Sequence, residues 1–224
     1  MPSICIDPGH NNSGADTGAQ GNGLHEELLT LDIALRLKPL LEQNGITVIM
    51  TRDSDFVKGP HGDLNESLQT RVDIANNAKV DLFMSIHINA FTTPGAYGQQ
   101  INVFGKGGKA EECANKVLAQ LISASGFLNR GVVVKNDEVL RDTTMPAILT
   151  ENGFITNTSD AAKLALPEFR QKLAVAHAKG ICDYFDLTYR ETAPSPIISP
   201  PVVDKTSQAI ALFEEGLRIL KGND

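Results

Sequence analysis

A chain of 224 residues has room for one ordinary domain plus an appendage, and for a substantial buried core. With 42% hydrophobic and 21% charged residues and no unbroken apolar run of 18, the composition is that of a soluble globular protein and argues against a membrane span. A formal net charge of −7 repels polyanions at long range, which argues against nucleic acid as a partner.

In chain order, short β-branched runs alternate with longer helical patterns. SICID (3–7) reads as a strand, and a glycine-rich stretch (14–23) follows that lacks a dinucleotide fingerprint and suits a tightly folded loop. A helix is expected over 26–44, a strand at ITVIMT (46–51), and a loop carrying His61, with Asp63 or Asn65 as cap for the next helix. That helix (64–79) places Leu64, Leu68, Val72, Ala75 and Ala78 at intervals of three and four. DLFMSIHI (81–88) and QINVF (100–104) are the next strands; GKGGKA (105–110) has neither the spacing nor the Ser/Thr of a phosphate loop and reads as a turn. A helix over 109–125, strands GVVV (131–134) and AILTE (147–151), and a long helix over 159–185 carrying His177 complete the pattern. The alternation predicts an α/β fold: a single twisted, mostly parallel mixed sheet of about six strands with helices on both faces. Cys5, Cys113 and Cys182 show no metal-binding spacing and are expected to be buried small hydrophobes.

Residues 1–189 form the expected main domain. Four prolines in RETAPSPIISPPVVD mark 190–204 as a stiff linker. Within 205–224, Ile210, Phe213, Leu217 and Leu220 repeat at helical spacing, which fits docking on the main domain, a homodimer seam, or the start of a second module.

Three groups suited to metal binding or proton transfer fall at the ends of predicted strands: His10, His87 and Glu151. Parallel strands would gather them at one sheet edge, where ligands bind in open α/β sheets. Two histidines with carboxylates suit zinc. The stretch GLHEELL (23–29) offers His25, Glu26 and Glu27 as further ligands. On a helical wheel Glu26 heads an otherwise apolar stripe with Leu29, Ile33, Leu37 and Leu40. Glu27 lies on a mixed stripe, and His25 on a polar one with Asp32, Arg36 and Gln43 that should face water. The wheel therefore ranks Glu26 first and His25 last. A helix-start acid favoured by the dipole is the competing account of Glu26.

Three blocks, CIDPGHNNSGADTGAQGNGLHEELLTLDIALRLKPLLEQNG, RVDIANNAKVDLFMSIHINA and VLRDTTMPAILTENGFITNTSDAAKL, resemble the zinc-dependent N-acetylmuramoyl-L-alanine amidases of bacterial and phage cell-wall lysis. The similarity spans about residues 3–185. It implies one zinc ion held by His10, Glu26 and His87, with Glu151 as the catalytic acid/base, and it matches neither His25 nor Glu27 to a ligand position. The third block has Thr150 where valine is common in the family and Asn152 at a variable place, but keeps the acid. The implied substrate is peptidoglycan, cut between the lactyl group of N-acetylmuramic acid and L-alanine. Arg141 and Arg71 suit substrate carboxylates. A surface ion pair is the competing expectation, and for Arg71 the preferred one. The ten or so residues FTTPGAYGQQ leave no room for the inhibitory helix of regulated relatives, so an open site is expected. The rival functions are a zinc exopeptidase acting on free peptides and a silent wall-binding domain. The first ten residues lack a secretory signal, which fits a phage-type lysin, an enzyme cytoplasmic until release, or a chain with its signal trimmed.

Overall fold

The structure, a computed structural model, describes residues 1–191. The Pro-rich linker from 192 onward and the expected helix and dimer seam at 205–224 lie outside the described residues.

The strands are β1 (Ser3–Pro8), a two-residue pair β2 (Gln20–Gly21) and β3 (Leu24–His25), β4 (Thr47–Met50), β5 (Leu82–Asn89), β6 (Gln99–Val103), β7 (Asn129–Val134) and β8 (Ala147–Phe154). The helices are α1 (Glu26–Gln43), α2 (Leu64–Ala78), α3 (Lys109–Ser125), the single turn α4 (Glu138–Arg141), α5 (Thr158–Leu164) and α6 (Pro167–Tyr184). Six strands form one sheet in the order β4-β1-β5-β8-β6-β7. Every neighbouring pair is parallel except β8 with β6. The expected mixed sheet is thus observed.

Alternation along β1 shows why the strands read as unbroken apolar runs. Ile4 and Ile6 join the core beneath α1, α3 and α6, while Cys5 between them packs with Val72 and Ala75 of α2 and Val139 and Leu140 of α4. Both faces are covered, so neither set can be polar. All three cysteines are buried and unpaired, as expected. Asp63 caps α2 by accepting from Glu66 N. Among the described residues no helix is long and apolar enough to cross a membrane.

Two expectations are corrected. The helix expected over 159–185 is two, because Pro167 opens α6 as its first residue and Leu166 before it is extended (φ −83°, ψ 120°). The stripe of His25, Asp32, Arg36 and Gln43 does not all face water: Asp32 and Arg36 are buried, since α6 packs along α1 and brings Arg170 onto Asp32 and Gln171 onto Arg36. At the far end of α1, Asn44 exchanges hydrogen bonds with the backbone of Arg190, tying the end of the described chain to that helix.

His177 is fully buried, with Nδ1 2.7 Å from Leu173 O and Nε2 3.2 Å from Thr150 Oγ1. Burial lowers its pKa to about 4 against the opposing pull of the Leu173 carbonyl. Its folded pKa lies below the unfolded one, so its contribution to stability is full above about pH 6.5 and is lost as pH falls toward 4. About 1.5 kcal/mol should disappear between pH 6.5 and 5, above most carboxylate titrations. Urea midpoints across that range should fall in the wild type and stay flatter in His177→Gln.

Candidate active site

The first of the site residues stands on the turn that ends β1. Gly9 N bonds to Ile86 O across the sheet, and His10 then takes a left-handed backbone (φ 64°), aiming its ring over the end of β5. His87, near the end of β5, rests on that turn. A Cβ added at Gly9 would lie 2.3 Å from His87 Cε1, so only glycine admits the ring. The ring centroids of His10 and His87 are 4.8 Å apart and nearly perpendicular.

Glu26, first residue of α1, fills the space between them. Its Oε2 lies 3.3 Å from His10 Nε2 and its Oε1 3.1 Å from His87 Nδ1, and it also accepts from Ala19 N and Ile88 N. The glycine-rich loop makes this approach possible, since a Cβ at Gly18 would meet Glu26 Cβ at 2.8 Å. Hydrogen bonds from His10 and His87 hold the Glu26 carboxyl well below the usual carboxylate range, although burial opposes them. His10 is pushed up to about 10 by Asp16 and Glu26, again against burial. Two carboxylates, Asp16 and Glu26, thus face the two nitrogens of the His10 ring.

Glu151 of β8 lies beside His87 in the strand register. It is partly buried, and its Oε2 is enclosed without a hydrogen-bond partner among the described residues. Burial first, then the charges of Glu26 and Asp137, raise its pKa well above the ordinary value. His10, His87 and Glu151 line one cleft of about 570 Å³, together with Gln100, Asn102 and Lys135. Nine residues (90–98) join β5 to β6 without a helix, which leaves that side of the cleft uncovered by one.

The structure thus brings His10, Glu26, His87 and Glu151 to one place. His25 precedes α1, about a third exposed, and contacts Glu27 Oε1. Glu27 is buried, with its Oε2 unpartnered. Arg141 is at the cleft wall, paired with Asp142. Arg71 is not on the helix surface. It is buried under the cleft with its guanidinium on Asp7 and Asp16, which lie on β1 and in the glycine-rich loop and so cannot be seen from the spacing of α2. Asp16 itself, 3.1 Å from His10 Nδ1, carries no motif that marks it in sequence.

Two imidazoles and a carboxylate converge in one cleft beside a separate carboxyl group on the neighbouring parallel strand, the arrangement of a hydrolytic enzyme. The model of the N-acetylmuramoyl-L-alanine amidase family matches residues 4–183, and the chain belongs to that family. It is 40% identical over 190 residues to the sporulation-specific N-acetylmuramoyl-L-alanine amidase of Bacillus subtilis (strain 168), covering 84% of this chain and 69% of that one. It is 34% identical over 200 residues to the endolysin of Bacillus phage SPP1, covering 86% and 69%. Among solved structures, the catalytic domain of CwlV, an N-acetylmuramoyl-L-alanine amidase from Bacillus (Paenibacillus) polymyxa var. colistinus, superposes with a TM-score of 0.74 and 32% identity over 84% of this chain and all of that one.

Proposed function

We propose that this protein is a zinc-dependent amidase that hydrolyses the bond between N-acetylmuramic acid and the L-alanine of the stem peptide in peptidoglycan. The observation that carries the reading is the convergence of His10, Glu26 and His87, with one ligand atom from each lying within 4.8 Å of the others, beside Glu151 in one cleft. Two imidazole nitrogens and a carboxylate oxygen are a donor set that suits zinc and leaves a coordination position open. The excess negative charge that raises His10 would equally hold a divalent cation. His10, Glu26 and His87 are thus the proposed ligands.

When bound, zinc supplies Lewis acidity: it acidifies water toward neutrality and polarises a carbonyl. Glu151 takes a proton from the attacking water and hands it to the departing amide nitrogen, which leaves badly unless protonated. Glu151 lines the same cleft as His10 and His87, which supports that role. Arg141, at the cleft wall, is the proposed partner for a stem-peptide carboxylate. The uncovered stretch 90–98 supports activity without an activator. Family membership favours the amidase over an exopeptidase, and retention of all four groups favours an enzyme over a silent wall-binding domain. The proposed place of action is the cell wall.

Digestion of purified cell walls with and without chelator tests the function. New N-terminal L-alanine that depends on zinc is expected. Release of reducing sugar ends or of free amino acids in its place would sink the reading.

Gly9 gives a separate test of the ligand geometry. Gly9→Ala adds no chemistry but forces the His87 ring from its seat, and zinc affinity measured by chelator competition should drop by about tenfold or more.

A further inference from the structure

His10 keeps a sparsely populated backbone conformation, which persists only where the surroundings impose it. Two buried arginines do so from below. Arg52 donates to Pro8 O and Gly9 O, and Arg71 donates to Pro8 O. The ring is held by a different group. Its Nδ1 lies 3.1 Å from Asp16 Oδ1, while its Nε2 points at Glu26. Asp16 in turn has no freedom, since its Oδ2 accepts from Ser67 Oγ at 2.6 Å and from Arg71 at 3.0 Å. Arg71 is anchored on Asp7, which is itself held by Thr51 and Ser85. Among the described residues His87 is bonded to no carboxylate other than Glu26, and its ring rests on Gly9.

We propose that Asp16 is the positioning residue of the site: by accepting the Nδ1 proton of His10 it leaves Nε2 free for the cation, and Ser67 and Arg71 of α2 hold it there. This rests on the reading of His10, Glu26 and His87 as metal ligands. The physical reason is that a carboxylate behind an imidazole selects the tautomer, fixes the ring plane and raises the basicity of the far nitrogen. A purely structural Asp16 would only neutralise the buried Arg71. It would affect folding and leave the zinc affinity of the folded protein unchanged.

Zinc affinity of the full chain, by competition with a chromophoric chelator, separates the two. Asp16→Asn is expected to weaken zinc by about 10–100-fold. Ser67→Ala, which keeps the carboxylate but loosens it, should weaken zinc less and in the same direction. Histidine 15N NMR of the zinc-loaded wild type needs no variant, and should show the His10 proton on Nδ1 and the metal on Nε2. The proposal is overturned if folded Asp16→Asn binds zinc within twofold of wild type, or if the metal is on Nδ1. A wild type that binds no zinc would instead overturn the ligand reading, and this proposal with it.

Discussion

Glu151→Ala should slow amide hydrolysis by about 10²–10⁴-fold, the usual worth of a positioned acid/base, while zinc content stays at the wild-type level. The folded protein should tolerate the change well. Glu151 Oε2 has no hydrogen-bond partner among the described residues, so truncation orphans no donor there, and burial already disfavours the charged form. Stability at neutral pH should therefore be unchanged or slightly increased, as expected where a group is kept for chemistry at some expense to folding. Glu151→Gln preserves shape but cannot take a proton, and should be nearly as slow as the alanine variant. Turnover of a defined muramyl peptide, with zinc measured on the same samples, decides the matter. A Glu151→Ala enzyme retaining more than a tenth of the wild-type rate would remove Glu151 from the mechanism.

The second large effect is on loading. Glu26→Ala should abolish stoichiometric zinc binding, while His25→Ala should leave it nearly intact. Glu26 accepts from two backbone amides and faces both imidazoles, so alanine also strips partners from buried donors. The expected loss of stability is on the order of 2–4 kcal/mol. Glu26→Gln separates the two consequences, because an amide oxygen can still accept from a backbone amide but brings no charge to the cation. That variant should fold and still lose most of its zinc affinity. His25, by contrast, places its ring against the neighbouring Glu27 carboxylate and is about a third exposed. Zinc retained after dialysis, together with thermal melts, provides the check. Equal zinc in Glu26→Ala and wild type would exclude Glu26 as a ligand.

Much of the candidate site was legible because His10 follows a strand, His87 lies near the end of one and Glu26 opens a helix, all visible as local patterns; Glu151, expected to close its strand, sits within β8, which runs on to Phe154. The stripe from Glu26 through Leu29, Ile33, Leu37 and Leu40 is buried throughout, as its apolar spacing requires. What the wheel could not show is a second helix. The polar stripe on α1 looks wet until α6 covers it, and the charges that made it look wet are used in contacts with Arg170 and Gln171. Arg71 fails for the same reason in reverse. Its partners Asp7 and Asp16 are 64 and 55 residues away in the chain, so a helix-surface ion pair was the natural local expectation. The break at Pro167 was different in kind, since the proline is in plain view and only the long apolar pattern around it hid its effect.

The bond between Asn44 and Arg190 has a bearing on anything joined to this domain. Glu26 stands at the start of α1 and Asn44 just past its end, so a helix of 18 residues, about 27 Å long, separates the site from the point where the described chain departs. The described chain therefore leaves from the end of α1 opposite Glu26.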